Sequence, residues 1–275
     1  MKLQTLNILI ADDQEEIRTL TSHQLTRAGH RVVAVANGME AVKAAQQVRF
    51  DVALLDEEMP LMGGVEAARG IRQQASESAQ SPLLVAVTAN ATTQDRERLL
   101  AAGFDQVVGK PFRLEALDSI IAGVPASASE TVHPHGSEAT DEDPIDVLSR
   151  RVNGDRNLMR KLTASFLRDL PSRMISLRRA LKRGDAGEVG ALAHALKGTV
   201  AIFGASQARA RSEELQNLGR SGDLQPAHSV FESLQADVAQ LERKLRGYAK
   251  SAKAAQRAKG RSRPQPSDRR RKKRK

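Results

Sequence analysis

Two groups of residues in this sequence could do chemistry. Asp12, Asp13, Asp56, Thr88 and Lys110 fall in the first half, and His194 stands with Lys197 and Gly198 in the second. Three carboxylates about 4 Å apart repel one another by roughly 4 kcal/mol per pair at an effective dielectric near 20, so such a cluster calls for a cation. Ligands that are all oxygen favour Mg²⁺. A carboxylate, a Mg²⁺ site, a hydroxyl and a lysine are the parts needed to form an aspartyl phosphate, with nucleophile, charge neutraliser and donors to phosphoryl oxygens. A histidine with a pKa near 6.5 is largely neutral at pH 7 and is a competent second nucleophile. A lone Asp at a strand end most often makes a turn or caps a helix, so the reading rests on all five residues meeting at one sheet edge.

From Leu6 to Gly123 short apolar runs alternate with amphipathic stretches, the pattern of parallel strands joined by crossover helices. Strands are predicted near Asn7–Ala11, Arg31–Val35, Asp51–Leu55, Leu83–Thr88 and Gln106–Gly109, each apolar enough for burial on both faces. Residues 1–123 are thus expected to form an α/β doubly wound, five-stranded parallel sheet. Asp12-Asp13 follow strand one, Asp56 strand three and Lys110 strand five, while Thr88 ends strand four. Functional groups of such sheets gather at these carboxyl ends.

Residues 124–144 are rich in Ser, Ala, Pro and acids and read as an acidic flexible linker. Residues 145–248 carry helical periodicity without strand signals and read as an all-α four-helix bundle. On a wheel started at Leu192, Val189, Leu196, Val200 and Phe203 form one apolar stripe, and His194 lies nearly opposite with Gly190, Gly198, Ala201 and Lys197 around it. His194 is therefore expected to be exposed. Glycine inside a helix costs roughly 1 kcal/mol relative to alanine, so two on that face suggest close approach by a partner. His23, His30, His133, His135 and His228 have no such setting.

Composition narrows the classes further. The 275 residues include no cysteine, which excludes disulfides, thiolate metal sites and cysteine nucleophiles. The apolar run Leu6–Ala11 is far too short for a membrane span, so a cytoplasmic protein with no membrane partner is expected. The net charge is +10, but Gly247–Lys275 holds 13 Lys/Arg against one acid, Asp268, giving +12 there and −2 elsewhere. Residues 249–275 read as a disordered polybasic tail that could bind nucleic acid or another polyanion. There is no glycine-rich ATP loop, no kinase-type nucleotide module and no helix-turn-helix, so a phosphoryl carrier is expected, neither an ATP-dependent enzyme nor an ordinary transcription factor.

Asp12-Asp13, the string Asp56-Glu57-Glu58-Met59-Pro60-Leu61-Met62-Gly63-Gly64, Thr88-Ala89 and Lys110-Pro111-Phe112 together resemble the receiver domains of two-component response regulators. The resemblance implies that Asp56 is the phosphoacceptor and that Asp12, Asp13, Asp56 and the backbone carbonyl of Glu58 bind Mg²⁺. It implies that Thr88 and Lys110 hold the phosphoryl oxygens and that the Lys110-Pro111 bond is cis. Val107 stands where receivers commonly carry an aromatic switch residue, and Gly63 where many have Asp. His194-Ala195-Leu196-Lys197-Gly198, continuing to Phe203-Gly204-Ala205, resembles the motif of histidine-containing phosphotransfer (HPt) domains. There His194 is implied to carry the phosphoryl group, Lys197 to supply positive charge and Gly198 to make room for a receiver. The two resemblances imply a phosphorelay intermediate between a separate sensor histidine kinase and downstream response regulators. A regulator whose receiver and bundle gate a nucleic-acid-binding tail is the alternative.

Overall fold

The computed structural model describes residues 5–75, 81–89, 92–110, 112, 119 and 142–261. The apolar runs form β1 (Asn7–Ala11), β2 (Arg31–Val35), β3 (Val52–Asp56), β4 (Leu83–Thr88) and β5 (Gln106–Gly109), a parallel sheet of order β2-β1-β3-β4-β5. Helices α1 (Glu15–Arg27), α2 (Gly38–Gln47), α3 (Gly64–Ala75) and α4 (Thr93–Ala101) connect them. One face of the sheet buries Leu9, Ala53, Leu55 and Ala86 with Ala41, Ala67 and Ile71 of the helices, and the other buries Ile8, Ile10, Leu54 and Val85 with Leu25 of α1. The expectation that every strand is buried on both faces fails at β2. It is an edge strand, and Val33 remains 39% exposed.

Register decides where the chemistry falls. Ala11 pairs with Leu55, so the next residues along β1 and β3, Asp12 and Asp56, leave the sheet side by side. Thr88 pairs with Gly109, and Lys110 N donates to the Thr88 carbonyl at 2.7 Å. The first junction opens on the crevice between β1 and β3, where the strand order reverses, and the second lies at the same carboxyl edge of the sheet. Asn37 caps α2 by accepting from Glu40 N, and Gly38 is required beside it because a Cβ there would lie 2.5 Å from the Met62 carbonyl oxygen.

The second half is wholly helical among its described residues: α5 (Pro144–Arg151), α6 (Arg156–Arg183), α7 (Ala186–Ile202), α8 (Ser206–Ser221) and α9 (Ala227–Arg261). A short α5 thus precedes the four long helices expected. Asp143, Asp155 and Asp185 cap α5, α6 and α7 through their carboxylates, and Gly184 (φ 68°) ends α6 in the left-handed region. Phe166 and Phe203, with ring centroids 4.8 Å apart, sit in a core shared with Leu196, Val200, Leu215, Leu234 and Leu241. The sequence reading ends the bundle at Tyr248 and places a disordered tail from 249. Instead α9 continues to Arg261, because Ala, Lys, Gln and Arg are strong helix formers and extend a helix already nucleated by packing. Most of the 124–144 linker, and residues 262–275, lie outside the described residues.

The two halves are docked. Ile17 and Leu20 of α1 are part of the bundle's hydrophobic core cluster. Around them Gln24 Nε2 donates to the Arg151 carbonyl at 3.0 Å, and His23 Nε2 lies 3.5 Å from an Asp155 carboxylate oxygen. Among the described residues no helix is long and apolar enough to cross a membrane.

Candidate functional site

The structure brings Asp12, Asp13, Asp56 and Lys110 together as the register requires. Carboxylate oxygens of the three acids lie within 4.8 Å of one another. Lys110 Nζ lies 2.6 Å from Asp12 Oδ2 and 2.6 Å from Asp56 Oδ2. Asp56 is 0% exposed, and burial, with help from the Asp12 charge and opposition from Lys110, holds its carboxyl well above the usual carboxylate range. Burial also pushes Asp13 up to about 6, Asp12 adding to the effect. For Lys110 burial works against the ammonium, but the Asp12 and Asp56 carboxylates outweigh it and raise its pKa. The Glu58 amide donates to Asp56 Oδ1 at 3.4 Å, which keeps its main chain beside the cluster. The Thr88 hydroxyl is close by but donates to Glu57 Oε2 at 3.1 Å. Val107 is buried in the receiver core. Pro111, and with it the expected geometry of the Lys110-Pro111 bond, lies outside the described residues.

These residues fit a divalent cation. When ionised, three carboxylates and one ammonium sum to −2, and Asp13 Oδ1 is buried without a hydrogen-bond partner. A hard cation held by oxygen would satisfy that oxygen and relieve the repulsion that adds to burial in raising the carboxyl pKa values.

His194 departs from expectation. It is only 7% exposed, because the face of α7 opposite the bundle core is covered by the receiver half of the same chain. The wheel places the residue correctly on its own helix; the expected exposure fails because a second domain lies on that face. Gly198 packs closely against the N-terminal half of the chain: a Cβ there would lie 2.6 Å from Gln14 Oε1 and 3.0 Å from Ile17 Cδ1. Gly190 has a different reason, since it packs against Gly219 of α8, where a Cβ on Gly219 would lie 2.5 Å from Gly190 N. Lys197, expected beside His194 on the open face, is 1% exposed, with Nζ 3.6 Å from Glu213 Oε1. Burial lowers its pKa.

Around His194 stand residues that the sequence reading does not single out. Gln216 Nε2 lies 2.9 Å from His194 Nδ1, and Glu58 Oε2 lies 3.3 Å from the same atom. Arg220 pairs with Glu58, and Gln216 Nε2 donates to Glu58 Oε1 at 3.4 Å. Ionised Glu58 can only accept, so it favours the tautomer with the proton on Nδ1 and the lone pair on Nε2, whereas the Gln216 amide nitrogen can only donate and favours the opposite tautomer. Nε2 itself is buried without a hydrogen-bond partner. Burial pushes the imidazole down to about 3, and Lys110, Lys197 and Arg220 push the same way, so it is neutral at pH 7. One signal could have found Gln216. His194 and Gln216 are each 11 residues from Ala205, in the turn between α7 and α8, and an antiparallel hairpin sets such positions opposite each other.

Comparison with known proteins agrees with both halves. A profile for the response regulator receiver domain matches residues 8–122, and one for the Hpt domain matches residues 161–244. The chain therefore carries, in this order, a response regulator receiver domain and an Hpt domain, both phosphorelay modules. It is similar to the sensor histidine kinase AruS of Pseudomonas aeruginosa, 31% identical over 79% of this chain and 21% of the relative. It is also similar to the sensor protein EvgS of Escherichia coli K12, 26% identical over 87% of this chain and 19% of the relative. The chain thus spans about a fifth of the length of these curated relatives. Among solved structures it resembles the receiver domain of the sensor histidine kinase PA1611 of P. aeruginosa, which has a magnesium ion in its active site cleft. That match is 35% identical, covers 44% of this chain and 97% of the other, and has a TM-score of 0.40.

Proposed function

We propose that the chain is a phosphorelay intermediate in which Asp56 and His194 exchange a phosphoryl group within one molecule. An Asp56 carboxylate oxygen attacks the phosphorus of a donor, either the phosphohistidine of a sensor kinase or a small acyl phosphate, and the bond to the donor breaks. His194 Nε2 then attacks the aspartyl phosphorus, the phosphorus–oxygen bond breaks, and the carboxylate is regenerated. The reverse sequence uses the same atoms, and a downstream receiver is the other terminus. Lys110 and Thr88 hold phosphoryl oxygens in this reading, while Glu58 accepts from Nδ1–H of the imidazole and so leaves the Nε2 lone pair free to attack. Mg²⁺, held by Asp12, Asp13, Asp56 and the Glu58 carbonyl, would neutralise charge on the phosphoryl group. The protein acts as a carrier and takes no phosphate directly from ATP.

The observation that carries this reading is a buried His194 in the interface with the receiver, its Nδ1 3.3 Å from Glu58 Oε2 and its Nε2 without a hydrogen-bond partner. The test is to supply a labelled acyl phosphate with Mg²⁺. A base-labile label at Asp56 and an acid-labile label at His194 are expected. Asp56→Asn should lose both and His194→Gln only the second; label reaching His194 in the Asp56→Asn chain would overturn the reading.

One observation favours a second role beside the relay. The helical continuation of α9 exposes Lys250 and Lys253, and the charges of Arg156 and Arg160 on α6 act on nearby Tyr248. A basic surface of this kind, continued in sequence by Arg269–Lys275, suits the phosphates of a nucleic acid.

A further inference from the structure

Glu16 is the most deeply buried charge in the interface between the two domains. It is 0% exposed, although it lies on α1 among residues that would face solvent if the bundle were absent. The groups that meet its carboxylate come from α6: Ser165 Oγ donates to Oε1 at 3.0 Å, and Arg173 Nη2 donates to Oε2 at 3.1 Å. Arg173 Nη1 also donates to Thr199 Oγ1 at 2.6 Å. Thr199 follows Gly198 on the helix of His194, and its hydroxyl lies 3.3 Å from Gln14 Oε1. One continuous polar seam thus joins the receiver helix to the helix that bears the imidazole.

We propose that the Glu16–Arg173 pair is the selectivity lock of this interface, admitting to His194 a receiver with a carboxylate at this position of α1 and rejecting one with a neutral or basic residue. The proposal rests on reading the interface as the relay interface. The Ile17 and Leu20 contacts add adhesion, but apolar packing discriminates weakly between receivers of similar shape. The Arg168–Glu15 pair is exposed on both sides and contributes little. The Glu16–Arg173 pair behaves differently: Glu16 is fully buried, so removing Arg173 leaves its charge uncompensated, while Arg173 itself keeps 24% of its side chain exposed.

The chain has no cysteine, so Met39→Cys on the receiver and Ile175→Cys on the bundle, both exposed, give two unique sites for spin labels. The distance distribution across a urea series, below the unfolding of either half, yields the undocking constant. Glu16→Arg and Arg173→Glu should each raise that constant by tenfold or more, because each sets two like charges against one another in the interface. The chain carrying both substitutions should recover docking, and mixing the two single variants should give an intermolecular complex that neither forms alone. Glu16→Gln, which keeps the shape, guards against a folding defect: it should weaken docking while the melting of each half is unchanged. An effect below tenfold in the single charge reversals, or a swapped chain no better docked than they are, would overturn the proposal. Failure of the relay reading would look different, as docked halves between which no label moves.

Discussion

Gln14 fills the space that a side chain on Gly198 would need, its Oε1 lying 2.6 Å from where that Cβ would stand. Gln14 is buried and Ile17 closes the other side, so neither can easily withdraw.

Gly198→Ala and Gly198→Leu should therefore separate two properties that usually move together. Alanine improves the helix by up to about 1 kcal/mol, so the bundle should melt no lower. Overpacking the interface costs about 1–3 kcal/mol, so docking should weaken by roughly 5- to 150-fold, with leucine the worse of the two. Solution scattering would report it as an expanded particle with unchanged helix content. A Gly198→Leu chain as compact as the wild type would contradict this account of the glycine.

Removing the Lys110 ammonium leaves Asp12 and Asp56 facing each other in a buried site. Lys110→Met should lower receiver stability by about 3–5 kcal/mol, and millimolar Mg²⁺ should restore more of it than it adds to the wild type. Thermal melts with and without the metal decide the matter; equal Mg²⁺ responses in the two proteins would argue against a cation site at these carboxylates.

Gln216→Leu removes the donor that competes with Glu58 for His194 Nδ1. The imidazole should shift toward the Nδ1–H tautomer, and transfer between Asp56 and His194 should be no slower than in the wild type, while acyl-phosphate labelling of Asp56 is unchanged. Single-turnover kinetics test the rate, and nitrogen NMR of the imidazole reports the tautomer balance. Transfer slowed tenfold or more would mean that Gln216, and not Glu58, orients the ring.

The basic end should behave as a counterion-release surface. If it neutralises 6–10 phosphates, duplex DNA affinity should fall by roughly 10³–10⁵ between 50 and 200 mM salt. Deleting residues 249–275 should abolish retention on DNA and leave relay chemistry intact. Retention by the truncated chain would place the binding elsewhere.

The sheet is legible because a strand buried on both faces is a short apolar run, and its exits mark the edge where the acids and Lys110 meet. The bounds of β3 are displaced by one residue, since Asp56 itself is the last residue of the strand. A polar residue that ends a strand reads in sequence as the first residue outside it. His194 is legible as chemistry but not in its exposure: the wheel ranks positions around one helix axis and carries no information about a domain docked from outside. Glu16 and Arg173 are invisible for the same reason. Each is an ordinary helix-surface residue until two elements 157 positions apart are brought together. The continuation of α9 past Tyr248 escapes the sequence reading because low hydropathy reads as disorder, whereas helix propensity in that stretch is high.

At 1.5 Å per residue the 35 residues of α9 make a rod about 52 Å long. The 13 residues after Tyr248, up to Arg261, carry its axis about 20 Å past the last turn packed on the bundle. At physiological ionic strength the Debye length is about 8 Å, so charge at the end of the arm is screened from the packed turns by more than two such lengths. The arm therefore carries its far end out of electrostatic range of the bundle, while Lys250 and Lys253, in its first turns past Tyr248, stay close to it.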